Sequence, residues 1–308
     1  MRKVAVIGAG NVGAITAYCV AAEDVARVVM VDVVEGLPES RALDFLHAAP
    51  VKDYNIGIVG TVDYEQIADA DVVVLTAGIA RKPGMDRMDL LKTNVGIAKQ
   101  AAQEIARHAP EAVVIVVTNP LDIMALVVLR ETGFPTHRVI GMAGVLDATR
   151  FRYFIAQECE VWPGDVEAMV LGGHGDSMVP LTRHASVGGI PLKQLLDATT
   201  IERLVARTRK GGAEIVQHLT TSAYYAPGAS AAAMALTVVK DEKRLLAASV
   251  YLQGEYGYHG IYLGVPIILG SKGVERILNL KLTAEEQRAL KYSAETVRKG
   301  VETLESVY

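Results

Sequence analysis

Six short runs of aliphatic and β-branched residues, alternating with helical patterns, fill the first half of this chain and constrain its fold more than any other feature. They lie at residues 3–7, 28–33, 56–60, 71–77, 112–118 and 138–142, and most are apolar at nearly every position. A strand with one wet face alternates polar and apolar residues. A strand that is apolar throughout must be covered on both faces, which is the condition of a parallel sheet. The stretches between them, 12–23, 37–47, 91–108 and 121–132, have helical patterns and supply that cover. The expected fold is α/β, a doubly wound parallel sheet.

The second half reads differently. A helical run at 146–158 precedes a strand at 166–171 and shorter elements to about residue 192. Helical stretches follow near 201–219, 229–240 and 284–306, with a strand pair at 247–256 and 260–266. This predicts a second, α+β domain. The boundary falls near Gly144, dividing the chain into residues 1–144 and 145–308. No internal repeat or linker separates the halves, so a broad interface between them is expected.

Charge and cysteine content exclude several classes of function. The formal net charge is −4 with no long basic stretch, which gives nucleic acid or an anionic membrane nothing to pair with. Met1-Arg2-Lys3 and the apolar run after them end in a glycine cluster, not in the small-residue cleavage site of a signal peptide. No apolar segment reaches the ~18 residues of a membrane span. Cys19 and Cys159 sit singly in helical stretches, which argues against disulfides or a cysteine metal site and for a reducing cytoplasm. No metal is expected.

Gly8-Ala9-Gly10-Asn11-Val12-Gly13 directly follows the first strand and opens the first helix. Glycines there allow a tight turn, close backbone approach to a pyrophosphate and close helix–strand packing, while the helix N-terminus offers free N–H groups to the anion. Asp32 stands nineteen residues past Gly13, at the end of the second strand. A carboxylate there accepts hydrogen bonds from ribose hydroxyls and repels a 2′-phosphate, favouring NAD over NADP. The glycine motif alone is equally compatible with a packing turn, or with a methyltransferase-type sheet holding an adenosyl cofactor.

Three further constellations are candidates for chemistry. His174 lies in a glycine frame, Gly172-Gly173-His174-Gly175, just after an apolar strand, so its imidazole is expected to face a cleft. Asp147 and Arg150 are three apart on a helical run and project from one face. Arg81 and Arg87 flank a loop after the fourth strand, at the strand end where open parallel sheets bind ligands. Each set also has a plain reading, as a local ion pair or as solvated loop charges.

Taken together, residues 6–13, 77–94, 118–122, 141–152 and 172–177 resemble the lactate/malate dehydrogenase family. The likeness runs end to end and is closest to its lactate-dehydrogenase-like bacterial malate dehydrogenases. The resemblance implies a Rossmann-type domain and NAD, with cofactor contacts from Gly8, Gly10, Asn11, Val12, Gly13, Asp32, Thr76, Ala77, Gly78, Asn94, Thr118 and Asn119. It implies that His174 exchanges the proton at the substrate C2 oxygen and that Asp147 orients its ring. It further implies that Arg150 grips the C1 carboxylate, Arg87 polarises the C2 carbonyl and Asn119 bonds the substrate. The matching position to Arg81 resembles a glutamine in lactate dehydrogenases and is arginine in malate dehydrogenases. A second guanidinium needs a second carboxylate, which malate and oxaloacetate supply and pyruvate does not. The expected reaction is reversible NAD-dependent oxidation of (S)-malate to oxaloacetate. The alternatives are a lactate or other 2-hydroxy-acid dehydrogenase and a catalytically silent nucleotide-binding regulator. Residues 219–225 depart from the family pattern in the substrate-wall helix, leaving Ser222 as the candidate wall residue. A homo-oligomer is implied, a tetramer before a dimer.

Overall fold

The computed structural model describes residues 1–55, 57–79, 87–219 and 221–308, the Arg87 side chain excepted. The first half contains β1 (Arg2–Ile7), α1 (Asn11–Ala21), β2 (Ala26–Val31), α2 (Leu37–Lys52), β3 (Ile58–Thr61), β4 (Val72–Leu75), α3 (Arg87–His108), β5 (Val113–Val116), α4 (Leu121–Thr132) and β6 (Val139–Gly141). Strands β1 to β6 lie side by side in the order β3-β2-β1-β4-β5-β6. Each pairs in parallel with its neighbours. This is the doubly wound arrangement that the apolar runs predict. Val4, Val6, Val72, Val74 and Ile115 belong to a core on one face, and Ile7, Val73, Leu75, Val114 and Val116 to a second core on the other. Fully burying each such side chain contributes roughly 1.5–3 kcal/mol.

The second half contains α5 (Gly144–Cys159), β7 (Val166–Glu167), β8 (Val170–Leu171), β9 (Val179–Pro180), β10 (Ser186–Val187), β11 (Ile190–Pro191), α6 (Leu192–Leu195), α7 (Ala198–Leu219), α8 (Tyr225–Val239), β12 (Arg244–Gln253), β13 (His259–Gly270), β14 (Gly273–Ile277) and α9 (Ala284–Glu305). The antiparallel β12–β13–β14 unit extends the main sheet past β6 through a pairing of Ser249 with Gly141. The edge of β6 is thereby covered. The strand expected at 166–171 is instead two short ones. β7 pairs with β10 and β8 with β9, because the run changes partners at Ala168–Met169. The helix expected to end near residue 47 continues through Pro50 to Lys52; Pro50 has no N–H to bond the carbonyl four residues back, and the helix stops two residues later. β14 is absent from the sequence expectation, since its Glu275 and Arg276 interrupt the apolar signal.

The two halves interlock near the first helix. A Cβ on Gly228 of α8 would lie 2.7 Å from Ile15 Cβ and 3.0 Å from Val12 O, so glycine permits that close crossing of α1 and α8. Thr16 Oγ1 donates to Gly228 O at 3.3 Å across the same crossing. α8 and the chain leading into it are thus seated beside the glycine turn at the start of α1. Among the described residues no helix is long and apolar enough to cross a membrane.

Candidate active site

The strand order reverses between β1 and β4, and the chain leaves both strands at the same sheet end. Gly8, at φ +103°, begins the first of these exits. A Cβ there would lie 2.6 Å from Ala77 N and 2.8 Å from Thr76 Oγ1, so the two exits touch at a distance that only glycine allows. Thr76 Oγ1 donates to Gly8 O at 3.0 Å and ties them together. A Cβ on Gly13 would lie 1.8 Å from Gly8 O. Gly10 is different: a Cβ on it would meet nothing within 4 Å, and α1 begins there without a capping side chain. Two glycines close the turn and the third faces open space at a helix N-terminus, a shape suited to the pyrophosphate of a dinucleotide.

Asp32 closes this turn from the side. Its Oδ2 accepts from Ala9 N at 2.6 Å and its Oδ1 from Val34 N at 3.1 Å, which orients the carboxylate beside the turn. Asn11 is exposed, and its Oδ1 accepts from Arg41 Nη2 at 3.3 Å. Asn94 is 1% exposed and committed to backbone. Its Oδ1 accepts from Ile79 N at 2.8 Å, and its Nδ2 donates to Ile79 O and to Asn119 O. Asn94 therefore joins the chain segments that leave β4 and β5. Thr118 Oγ1 donates to Ala77 O at 2.7 Å, and a Cβ on Gly78 would lie 2.5 Å from Thr118 Cγ2, so these segments pack directly.

A Gly13→Ala protein should show the importance of this closure. The new methyl group would force the turn open, at a cost of about 1–3 kcal/mol. NADH affinity measured by fluorescence titration should fall about tenfold or more, and unchanged affinity would show that the turn does not hold the dinucleotide.

Beside the turn lies a cavity of about 460 Å³ whose walls include Val12, Thr76, Gly78, Thr118, Asn119, Arg150, His174 and Ser222. On its far wall His174 Nδ1 meets Asp147 Oδ2 at 2.9 Å. The ring is 18% exposed and the carboxylate 2%, so the pair is buried on the protein side and open on the cavity side. Burial disfavours the imidazolium. The charge and hydrogen bond of Asp147, with Asp122 behind it, outweigh burial and the opposing Arg150 and hold the His174 pKa above its ordinary value.

Arg150 Nη1 donates to Asp147 Oδ1 at 3.2 Å, so one carboxylate braces both the guanidinium and the imidazole. The Arg150 Nε–H is buried and meets no acceptor among the described residues. Such a donor costs about 1–3 kcal/mol while unpaired, which a ligand carboxylate in the cavity would relieve. Opposite it, Cβ atoms on Gly211 and Gly212 of α7 would lie 3.3 Å from Arg150 Cδ and 3.7 Å from Nη2. That glycine pair keeps the space beside the guanidinium free.

Arg81 and the Arg87 side chain lie outside the described residues. The structure brings the other predicted residues to the cavity or to the adjoining glycine turn. It also adds residues that sequence reasoning missed. Arg209, with Nε donating to Met178 O at 3.2 Å, lines the cavity, and Asp122, Ser249 and Ser293 stand behind His174. The Gly211-Gly212 pair was a legible signal, because glycine inside a helix costs about 1 kcal/mol relative to alanine and needs a reason.

A family model described as lactate/malate dehydrogenase, NAD binding domain matches residues 2–141, and one described as lactate/malate dehydrogenase, alpha/beta C-terminal domain matches residues 144–307. The chain belongs to the lactate/malate dehydrogenase family. It is an NAD-dependent oxidoreductase, and NAD is its cofactor. Malate dehydrogenase of Thermomicrobium roseum is 54% identical over 306 residues, covering 99% of both chains. The solved malate dehydrogenase of Salinibacter ruber superposes with a TM-score of 0.95 at 47% identity, covering 99% of this chain and 98% of that one. A lactate dehydrogenase of Cryptosporidium parvum, solved with lactic acid and nicotinamide adenine dinucleotide, gives a TM-score of 0.94 at 42% identity, with 99% and 98% covered. One fold thus carries both named activities, so the fold by itself does not select the substrate.

Proposed function

We propose that the protein is a malate dehydrogenase, interconverting (S)-malate and oxaloacetate, the step used by the tricarboxylic acid cycle. The observation that carries the reaction class is the Asp147–His174 pair at one cavity with Arg150, whose Nε–H meets no acceptor among the described residues. NAD, when bound, supplies the nicotinamide that takes up or returns the C2 hydride. When malate loses hydride its hydroxyl proton must also leave, and His174 accepts it through Nε2 while Asp147 stabilises the resulting imidazolium. In the reverse direction the same proton returns to the C2 oxygen. Arg150 holds the C1 carboxylate with its fork, a geometry that lysine lacks. Asn119 bonds the substrate, Arg87 polarises the C2 carbonyl, and Ser222 forms part of the wall. Residues 1–144 serve as the dinucleotide domain and 145–308 as the substrate domain.

Arg81 supports malate over lactate. Facing the methyl of pyruvate, its guanidinium would be desolvated and unpaired; facing the second carboxylate of oxaloacetate, it is matched. The protein works in the cytoplasm as a homo-oligomer, with a tetramer favoured by the family likeness. Side-by-side turnover of oxaloacetate and pyruvate with NADH tests the substrate assignment. Oxaloacetate should be preferred by a factor on the order of 10³ or more in kcat/KM, and comparable values, or a preference for pyruvate, would overturn it.

A further inference from the structure

The turn that carries His174 is held from behind by two helices. Gly173 N donates to Ser293 Oγ of α9 at 2.8 Å, and His174 N donates to Asp122 Oδ2 of α4 at 3.0 Å. The other Asp122 oxygen accepts from Ser249 Oγ of β12 at 2.5 Å. Asp122 and Ser249 are both buried, at 7% and 0% exposure. The glycines of this turn have a second purpose here. A Cβ on Gly172 would lie 2.6 Å from Ser293 Oγ, and one on Gly173 would lie 3.2 Å from Asp122 Oδ2. Without side chains at 172 and 173, the backbone can lie against both brackets.

A buried carboxylate is a costly way to hold one backbone N–H, since a neutral amide or hydroxyl would accept the same bond. What a carboxylate adds is charge. We infer that Asp122 is a positioning residue for the reaction proposed above: it fixes the His174 turn to α4 and β12 and sets a second negative charge behind the imidazole. This rests on His174 being the proton carrier. The charged groups acting on Asp122 are His174 and Asp147, and those acting on His174 are Asp147, Asp122 and Arg150; β12 gives Asp122 the Ser249 hydroxyl, while α9 gives the turn the Ser293 hydroxyl. Burial pushes the Asp122 carboxyl up, against the bonds from Ser249 and the His174 N–H that favour its ionised form. Ionised, Asp122 favours the imidazolium together with Asp147, and Arg150 opposes both. Asp122 also lies three residues after Asn119, so the helix that braces the turn begins at the cavity wall.

The test is Asp122→Asn, which keeps an oxygen for the His174 N–H and removes the charge. Oxaloacetate reduction requires protonated His174 and declines as that proton is lost. The midpoint of this decline in kcat/KM against pH should therefore move down by about half a unit or more. A residue that only held the turn would lower kcat and leave the midpoint in place, so an unmoved midpoint in a folded D122N overturns the inference. Ser249→Ala keeps the carboxylate but removes a donor that favours its ionisation. It should move the midpoint the same way by a smaller step, and it decides the matter should D122N fail to fold. Titration of the His174 ring by NMR, in histidine-labelled protein without substrate, should show the same downward shift. If the unmodified protein does not reduce oxaloacetate, the proposed reaction fails, while the NMR titration still decides the role of Asp122.

Discussion

A His174→Asn protein should bind NADH with unchanged affinity and lose nearly all turnover in both directions, by a factor of about 10²–10⁴. Asparagine preserves much of the ring's volume and a donor toward Asp147 but cannot gain or lose a proton near neutral pH. Hydride transfer would then have to create an alkoxide, or a protonated ketone, with no partner for the charge. The glycine turn proposed to hold the dinucleotide is separate from the Asp147–His174 pair, so fluorescence titration with NADH should not distinguish the two proteins. Turnover within a few-fold of the unmodified enzyme would remove His174 from the mechanism. In the unmodified enzyme the pH dependence has a definite sign. Because Asp147 and Asp122 outweigh burial and Arg150, His174 keeps its proton above the ordinary imidazole value. Oxaloacetate reduction should hold its rate to a pH above that value, and malate oxidation, which needs the neutral ring, should rise over the same interval.

The second large effect is expected at Arg81. An Arg81→Gln protein should lose oxaloacetate turnover and gain pyruvate turnover, so that the ratio of their kcat/KM values falls by at least about 10³. The size follows from what each substrate would leave unpaired. With arginine, pyruvate strands a desolvated cation; with glutamine, oxaloacetate strands a desolvated carboxylate. Either mismatch costs several kcal/mol, whereas a size difference of one methylene is worth only about 1–3 kcal/mol. Unchanged kcat/KM for both substrates would show that Arg81 does not face the substrate side chain. Because Arg81 lies outside the described residues, this expectation stands on the sequence and on the chemistry of the two acids.

Much of the architecture was legible because its signals are local. A run such as Val72–Leu75 is apolar at each position, which already states that both faces are covered, whatever covers them. The glycine motif and Asp32 carry their meaning in their spacing, since a turn and the next strand end meet through β1–β2 pairing over few residues. Elements of the second half were less legible for the converse reason. β7 and β8 form one run in the sequence, apolar except at Glu167, and belong to two different sheets. β12 can be read as a strand, but its place beside β6 rests on a pairing between residues 249 and 141.

The Asp147–His174 pair shows where that division lies. By itself the sequence determined the covered parallel sheet, the glycine turn with its acidic partner, and the identity of the ionisable groups, because each depends on neighbours within a strand or a turn. The family likeness pairs Asp147 with His174, but only the tertiary structure shows how: they lie 27 positions apart and meet at 2.9 Å, and the Arg150 Nε–H is left without an acceptor among the described residues. The tertiary structure also decided that Asp122 reaches His174 across 52 positions and Ser249 across 127. Such contacts depend on how helices and sheet pack across the core. That packing is a property of many side chains at once, which no local pattern encodes.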